Sequence, residues 1–266
     1  MKPELEKTRN YPPINALLRG LEVLTSVGTL GTASVGAIHK LTNITKPTIV
    51  RNLETLEHAG YIAREETTGL YALTARILSL SSGYDRGRRI VELASPFMND
   101  FRAAMPWPSD LALFDGDAMV ILETNRNPGT LALNRQVGSR LPLFTSALGR
   151  AYLAFCSDQQ RTTALDKFFS DRSDSSGERA LMGQLLAKYR KQGFSENNQS
   201  LSAGSRGVAV PVIVEGSVEV CVNAIVLSEA MTMEEVVNRC VPPLKAVAAK
   251  ISKALSIDRN QPETTR

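Results

Sequence analysis

The sequence has three cysteines, two histidines and no long hydrophobic run among its 266 residues. No apolar stretch approaches the roughly 20 residues that a membrane-spanning helix needs, so we expect no membrane segment. The polar residues 1–13 lack the apolar core of a secretory signal. The cysteines are odd in number and widely spaced, which excludes a disulfide framework and a zinc-ligand pattern. We therefore expect a cytoplasmic protein that binds no metal and no cofactor.

Signatures of catalysis are missing as well. Both histidines, His39 and His58, lie in the N-terminal third, and there is no Gly-rich phosphate loop, nucleophile elbow or metal-spaced cluster. Cys156 and Cys221 remain as nucleophiles in principle, but each lies among apolar residues without a base nearby in the sequence. We expect that the protein is not an enzyme. The alternative is an enzyme fused to a nucleic-acid-binding module.

Positive charge is concentrated near the N-terminus. Residues 1–90 contain 12 Lys/Arg and 8 Asp/Glu, whereas residues 91–266 contain 19 of each. The formal net charge of +4 therefore belongs entirely to the N-terminal part. A modest basic excess on one segment is typical of a nucleic-acid-binding head attached to a neutral body.

The segment 34–60 is typical of two short helices joined by a tight turn. Apolar residues recur at helical spacing in both, namely Val35, Ile38 and Leu41, then Ile49, Leu53 and Leu56. Ser34 and Thr45 are suitable N-caps, Pro47 fits the first turn of the second helix, and Gly60 ends it. The polar residues predicted to point outward are Thr45, Lys46, Thr48, Arg51 and Asn52. The pattern predicts a helix-turn-helix with its second helix in the DNA major groove, and the alternative is an ordinary helical hairpin.

A short β-hairpin is predicted directly after the second helix. Residues 61–64 and 70–73 have strand character, and the polar residues 65–69 form the turn between them. Arg64, Thr67 and Thr68 would lie at or near the tip, within reach of a phosphate backbone. A hairpin in this position is a wing. A helix-turn-helix followed by a wing indicates a DNA-binding domain more specifically than either pattern alone.

Helices are predicted on both sides of this region. We expect residues 1–13 to form a flexible arm, in which Lys7 and Arg9 either reach a minor groove or belong to an unstructured tail. An amphipathic helix follows at 14–27, with an apolar stripe of Leu17, Leu18, Leu21 and Leu24. After the DNA-binding domain at 14–74, we expect a helical linker at 75–105 that bends or breaks at Pro96. Its apolar residues Ile77, Leu78 and Leu80 contact either a second chain or their own domain.

From residue 106 onward the pattern changes to mixed strands and helices. Strands are predicted at 111–114, 118–123, 131–133, 207–214 and 217–227, and helices at 147–156, 158–169, 178–191 and 233–255. This order predicts an antiparallel sheet covered by helices over residues 106–255, followed by a polar tail at 256–266. The fold class is therefore α+β.

The order of parts resembles the IclR family of bacterial transcription regulators. The similarity covers about residues 14–255, and its local motifs are LLRGLEVL at 17–24, TKPTIVRNLETLEHAGYI at 45–62, YALTARILSLSSGY at 71–84 and LPLFTSALGRAYLAF at 141–155. The segments 106–124 and 138–156 look like those of family members that regulate aromatic-acid catabolism of the hydroxyphenylpropionate type.

The resemblance implies a winged helix-turn-helix, a linker helix and a GAF-like effector-binding domain. It also implies homodimers or tetramers, built as dimers of dimers, that bind palindromic operators in double-stranded DNA. Bases would be read by Thr45, Lys46, Thr48 and Arg51, and phosphates would be contacted by Ser34, Asn52 and Arg64. A ligand-free architectural DNA binder is an alternative, but it leaves the large C-terminal domain without a role.

The resemblance further implies a small-molecule site at the N-terminus of the helix at 147–156. Its first residues are Thr145, Ser146, Ala147 and Leu148, whose N–H groups and positive dipole end suit a carboxylate. The alternative is that Ser146 is only a helix cap, and that role is compatible with an anion site. The loop at 197–208 and the strand at 217–227 would supply the walls.

An aromatic carboxylate is the expected effector. Relatives that sense small keto acids have polar residues at positions aligned with Asn197, Ala224 and Val226, so Ala224 and Val226 imply a less polar pocket. Trp107, Phe114 and Phe144 would contact the ring, unless they belong to the core. Arg206, beside Gly207, is a candidate carboxylate partner, and the alternative is a surface arginine.

Overall fold

The chain folds into two compact units, Met1–Tyr84 and Asp85–Arg266. A computed structural model describes residues 11–81, 85–125, 135–170, 176–199, 201 and 204–260. The predicted arm up to residue 10 and the predicted strand at 131–133 lie outside the described residues.

The first unit combines three helices with a small antiparallel sheet. The helices are α1 (Asn15–Leu30), α2 (Val35–Thr42) and α3 (Lys46–His58), and the strands are β1 (Thr32–Ala33), β2 (Ile62–Arg64) and β3 (Tyr71–Leu73). The strand order is β1-β3-β2. A 3-10 turn at Ala75–Ile77 and the short helix α4 (Leu78–Ser81) follow. The predicted winged helix-turn-helix is confirmed.

The three helices share one hydrophobic core. Val23, Val27, Ile38, Ile49 and Leu53 are completely buried in it. The predicted stripe of α2 is wrong at Leu41, which is more than half exposed, because this short helix packs on the core through its first half, at Val35 and Ile38.

The predicted apolar stripe of α1 is wrong in its N-terminal half. Leu24 is buried, but Leu17, Leu18 and Leu21 are 60%, 52% and 51% exposed. The helix is longer than predicted, and its second half alone packs into the core, through Val23 and Val27. The exposed residues Ile14, Leu17, Leu18 and Leu21 form what we call the α1 face.

The second unit is built on one six-stranded sheet. Its elements are α5 (Asp85–Ala104), β4 (Asp110–Asp115), β5 (Ala118–Thr124), β6 (Arg140–Pro142), α6 (Ala147–Phe155), α7 (Asp158–Phe169), α8 (Ser176–Gln192), β7 (Ser195–Asn198), β8 (Ser205–Val214), β9 (Ser217–Leu227) and α9 (Met233–Arg259). All neighbouring strands are antiparallel, in the order β6-β5-β4-β9-β8-β7. The predicted sheet covered by helices is confirmed.

Each face of the sheet has its own hydrophobic core. Side chains alternate along a strand, so Val222 and Ala224 of β9 pack with α5 and α9, while Cys221 packs with α6 on the opposite face. Helices α7 and α8 complete the layer beside α6. The two faces of β9 therefore have different neighbours, and this decides which of its residues face the candidate site.

The first turn of α6 is hydrogen-bonded to both edges of the sheet. The Ser146 hydroxyl donates to the carbonyl of Pro142, at the end of β6, over 2.6 Å. The Ser195 hydroxyl of β7 donates to the Ala147 carbonyl, also over 2.6 Å. Strands β6 and β7 are the two outermost strands, so the sheet curls around this turn.

Several boundaries differ from the sequence prediction. Helix α5, within the predicted linker, lies in the second unit, where Ile90, Ala94 and Met98 are buried in the core. Helix α5 runs through Pro96 without interruption. Helix α9 continues to Arg259, into the predicted tail, and strand β7 was not predicted.

Candidate functional site

The turn between α2 and α3 is fixed by short local contacts. The Ser34 hydroxyl accepts the N–H of Ala37 over 3.1 Å and so begins α2, as predicted. Asn43 ends the helix in the left-handed conformation, with φ of 57°. Nδ1 of His39 lies 2.7 Å from the carbonyl oxygen of Ile44. These contacts hold the two helices of the DNA-binding motif at a fixed angle.

Helix α3 begins without the predicted side-chain cap. Thr45 occupies the N-cap position, but its hydroxyl lies 2.9 Å from the Thr48 hydroxyl and makes no cap bond to the backbone. Pro47, the second helical residue, has no N–H, so of the two usual capping donors only the Thr48 amide remains, and it makes no bond to the Thr45 side chain.

Most of the predicted DNA-reading residues lie on the surface. Thr45, Lys46 and Arg51 are exposed on α3, and Thr48 is half-buried. Glu54, one turn after Arg51, is exposed as well and was not singled out from the sequence. The geometry allows α3 to present two cations and two hydroxyls to a nucleic acid.

Asn52 does not point outward as predicted. Its side chain is half-buried, and its Nδ2 donates to the Thr48 carbonyl over 2.8 Å. A Cβ atom on Gly20 of α1 would lie only 3.2 Å from Oδ1 of Asn52. The side chain therefore lies between α3 and α1, because position 52 is on the side of the helix that faces its neighbour.

The hairpin of β2 and β3 carries Arg64 at its end. The Arg64 guanidinium lies 5.7 Å from the centre of the Tyr71 ring, and its backbone N–H donates to the Glu57 carboxylate. The turn beyond it exposes two carboxylates, Glu65 and Glu66. Arg64 is therefore the cation through which this hairpin can contact a phosphate, and the acidic tip itself is unsuited to that role.

In the second unit, a polar cavity lies at the N-terminus of α6. The Ser146 hydroxyl accepts the N–H of Gly149 over 3.0 Å. Helix geometry leaves the N–H groups of Ala147 and Leu148 without an intrahelical acceptor. The cavity has a volume of about 10 Å³, and its lining consists of Arg135, Ser146, Ala147, Leu148, Asn197, Ser205, Arg206, Gly207, Asn223 and Ile225. This volume admits roughly one water molecule.

A buried charge pair adjoins this cavity. The Arg135 side chain is 9% exposed, and its Nη1 lies 3.6 Å from Oδ2 of the fully buried Asp110. Asp110 also accepts hydrogen bonds from Thr124 and from Asn223. Sequence reasoning missed Arg135, Asp110 and Asn223. No local motif signals them, because Asp110 and Asn223 meet only when β4 and β9 pair, and Arg135 precedes β6.

Both parts of the chain match profiles of one protein family. Residues 16–66 match the IclR helix-turn-helix domain, and residues 84–253 match the bacterial transcriptional regulator IclR C-terminal domain. The chain belongs to the IclR family. It is a transcriptional regulator with a DNA-binding helix-turn-helix.

Relatives match along most of their length. The transcriptional regulator KdgR of Escherichia coli is 24% identical over 243 residues, covering 90% of this chain and 92% of the relative. The Pca regulon regulatory protein of Pseudomonas putida is 24% identical, covering 84% and 77%. An IclR homologue from Microbacterium hydrocarbonoxydans, solved with 4-hydroxybenzoate, is 20% identical, with a TM-score of 0.69 and coverage of 91% and 99%. The last comparison supports the fold alone.

Two predicted effector contacts of this IclR-family chain lie on the wrong face of the sheet. Ala224 and Val226 are fully buried in the core with α5 and α9, so their side chains point away from the cavity. Their neighbours Asn223 and Ile225 line it instead. The two positions follow from an alignment with relatives, and an offset of one residue in that alignment exchanges the two faces of the strand. Asn223 makes the lining more polar than Ala224 and Val226 had implied.

The predicted aromatic contacts are also placed elsewhere. Trp107 packs against the core on the α9 face, and Phe114 stacks on Tyr152 with ring centres 4.2 Å apart. Phe144 stacks on Phe168, 3.9 Å between centres. Thr145 does not line the cavity, since Ser146 is the residue that caps α6. The predicted residues that do meet at the cavity are Ser146, Ala147, Leu148, Asn197, Arg206 and Gly207.

Arg206 lies at the cavity wall, but its guanidinium is engaged. Its Nε donates to Oδ1 of Asn198 over 2.9 Å, and its Nη1 donates to the carbonyl oxygens of Ser228 and Met231. These bonds secure the connection between β9 and α9. A structural role for Arg206 therefore competes with the predicted contact to a carboxylate.

The cysteines of this IclR-family chain are poor nucleophiles. Burial raises the pKa of the Cys156 thiol to about 11, and burial also raises the pKa of Cys221. A thiol with a raised pKa is protonated at neutral pH and unreactive. Within the described ranges, no group of three metal-ligating side chains comes together, and no helix is both long and apolar enough to cross a membrane.

Proposed function

We propose that this regulator responds to a small carboxylate bound at the N-terminus of α6, and that its operon encodes aromatic-acid catabolism. The observation that carries the proposal is the polar cavity around the Ala147 and Leu148 amides, an arrangement that suits an anion. Two relatives support the aromatic class: one is named for the Pca regulon, and one was solved with 4-hydroxybenzoate.

A small non-aromatic carboxylate is the second candidate. The cavity volume of about 10 Å³ and the presence of Asn197 and Asn223 in its lining favour a compact, polar ligand. An aromatic ring requires the walls to separate by several ångströms, so the aromatic proposal includes such an opening on binding.

A panel of carboxylates tests the proposal. We expect benzoate, 4-hydroxybenzoate or 3-(3-hydroxyphenyl)propionate, at about 100 times its Kd, to raise the melting temperature by roughly 5–10 °C, because a ligand bound only to the folded state stabilises it by about 2.7 kcal/mol. The measurement is a thermal-shift series with pyruvate and glyoxylate as non-aromatic comparisons. Response to pyruvate alone would favour the second candidate, and no response to any carboxylate would refute an anion site at α6.

We also propose that α3 reads a palindromic operator. Thr45, Lys46, Thr48 and Arg51 would contact bases, and Ser34 and Arg64 would contact phosphates. Asn52 would act through the packing of α3 on α1, given its place between these helices. The exposure of Lys46 and Arg51 supports this assignment.

Two copies of the chain would meet through the α1 face. Four exposed apolar residues, Ile14 at the N-cap and three leucines on the first two turns of α1, exceed what a solvent-facing surface usually carries. A palindromic operator requires such a two-fold pair. Leu78 and Leu80 of α4, 67% and 59% exposed, form a second candidate contact.

Charged substitutions on α1 test the dimer. The double variant Leu17→Glu/Leu21→Glu is expected to lower the mass in light scattering, or to weaken palindrome binding by at least about tenfold, because two carboxylates in an apolar interface each cost more than 1 kcal/mol. Leu181→Glu, at a leucine that is 66% exposed on α8, is the control and should change neither. An unchanged mass together with unchanged operator binding would exclude α1 as the interface.

A further inference from the structure

We propose that a groove between α7 and α8 binds a medium-chain aliphatic carboxylate. The groove has a volume of about 220 Å³, and Ala154 of α6 forms part of its wall. It lies beside the last turn of α6, whereas the cavity of the proposed function lies at the first turn of that helix. The two sites are therefore separate, and either can exist without the other.

The walls of the groove are mainly apolar. Ala154 and Leu186, which line it, are only 1% and 2% exposed. Leu165 of α7 and Ala187 of α8 complete the apolar lining. Gly183 has no side chain to fill the space, and a Cβ atom there would meet no heavy atom within 4 Å. An apolar ligand in the groove would be stabilised because it removes this surface, and its own, from water.

The groove is elongated along α8. Its lining residues Gly183, Leu186, Ala187 and Arg190 recur at helical spacing and so form one stripe on that helix. A rise of about 1.5 Å per residue makes the stripe roughly 10 Å long. An extended hydrocarbon chain with C–C bonds of about 1.5 Å advances roughly 1.3 Å per bond, so a chain of about eight carbons matches this length.

Two arginines give one end of the groove a positive charge. Arg161 of α7 and Arg190 of α8 line the groove, and both donate to the same carboxylate oxygen, Oδ1 of Asp158. One carboxylate balances only one of the two guanidinium groups, so this end has an excess of one positive charge. A ligand carboxylate would supply the second negative charge.

Arg190 is the better placed of the two arginines to bind a ligand. Its Nη1 lies 3.5 Å from Asp158, and both side chains are more than half exposed, which makes this ion pair weak. Arg161 is 21% exposed, and its Nη1 also lies 3.5 Å from the carbonyl oxygens of Leu153 and Cys156, at the end of α6. Arg161 therefore connects α7 to α6, and Arg190 is the candidate contact for a carboxylate.

A second ion pair connects α7 and α8 independently of Arg190. Nη2 of Arg179 on α8 donates to Oδ1 of Asp166 on α7 over 2.6 Å. The two helices can therefore stay side by side when Arg190 turns toward a ligand. This second pair is neutral as a whole, so the positive excess lies at the Asp158 end alone. The ligand carboxylate would bind at that end, with its hydrocarbon chain along Gly183.

The test measures octanoate binding to the full chain by calorimetry. We expect Gly183→Leu to raise the Kd for octanoate by at least about tenfold, because the leucine side chain occupies the groove. R190Q should raise it by about three- to tenfold and change the Kd for the neutral octanamide by less than about twofold. Butyrate should bind the parent at least about tenfold more weakly than octanoate, because it covers less apolar surface.

Two matched controls leave the groove intact. Gly177→Leu makes the same substitution on the same helix, at another glycine whose Cβ atom would meet no heavy atom within 4 Å and which does not line the groove. K191Q removes an exposed positive charge beside Arg190 and outside the lining. Neither should change the Kd for octanoate. Leucine is a better helix former than glycine, so both leucine variants should fold, which circular dichroism checks.

Each other outcome overturns the proposal. Octanoate that does not bind the parent, or binds Gly183→Leu as it binds Gly177→Leu, would show that the groove is not its site. A fall in the light-scattering mass of Gly183→Leu alone, without octanoate binding to the parent, would identify a second copy of the chain as the occupant. Equal losses of octanoate and octanamide in R190Q would show that Arg190 does not bind the carboxylate.

The same variants separate this site from the one at the N-terminus of α6. The carboxylates of the thermal-shift panel should act on Gly183→Leu as they act on the parent, because that cavity lies at the other end of α6. A groove without octanoate therefore leaves the proposed function untouched. Octanoate binding that Gly183→Leu abolishes would likewise stand if no member of the panel bound.

Discussion

Replacement of Arg51 by alanine is expected to weaken operator binding by about 5- to 150-fold per DNA-binding head. The reason is that one bidentate arginine contact to a base contributes about 1–3 kcal/mol of discrimination. Arg51 is exposed on α3, so the substitution removes a surface contact and leaves the core of Ile49 and Leu53 intact. Fluorescence anisotropy with a labelled operator, at one fixed salt concentration, measures the change.

The control removes the same charge from the other unit. Lys253→Ala, at an exposed lysine on α9, changes net charge equally and should leave operator affinity unchanged. The carboxylate response in the thermal-shift assay should survive Arg51→Ala, because that site lies in the second unit. Operator binding by Arg51→Ala that equals the parent's would show that α3 does not read the major groove through this residue.

Gly149→Ala is expected to destabilise the second unit by about 3 kcal/mol or more, through overpacking against a backbone that cannot yield. A Cβ atom at Gly149 would lie 2.4 Å from both Cα and the carbonyl oxygen of Leu143. Helix α6 would have to move away from the segment after β6, which would also disturb the N–H of Gly149 donated to Ser146. Chemical denaturation followed by circular dichroism measures the loss.

Gly183→Ala is the matched control with the opposite sign. Gly183 lies inside α8, and a Cβ atom there would meet no heavy atom within 4 Å. Alanine should therefore stabilise the helix by about 0.5–1 kcal/mol. If Gly149→Ala proved as mild as Gly183→Ala, the close approach of α6 to Leu143 would be wrong.

The DNA-binding unit was predictable because its signals are local. Caps, turn residues and helical spacing lie within a few positions of one another, as in the Ser34 cap of α2. Local spacing failed where packing decides: Leu17 and Leu21 match an amphipathic pattern, yet they are exposed. A periodic apolar pattern indicates which side of a helix is apolar, but it does not indicate which neighbour covers that side.

The candidate cavity was only partly predictable, for two reasons. The N-terminus of α6 could be located from Ser146 and the apolar run after it, which are adjacent in sequence. The face of β9 that joins it depends on strand parity, and an offset of one residue selects Ala224 in place of Asn223. The pairing of Asp110 with Arg135 depends on sheet formation between distant segments, which no local pattern encodes.

Ser146 donates a hydrogen bond to Pro142, and Ala147 accepts one from Ser195. The first turn of α6 therefore links the two edge strands of a curled sheet. A ligand bound at this turn would therefore shift both edge strands together, since neither strand can move without moving the same turn. Ligand binding should then slow amide hydrogen exchange in β6 and β7 together, although they are the most distant strands of the sheet.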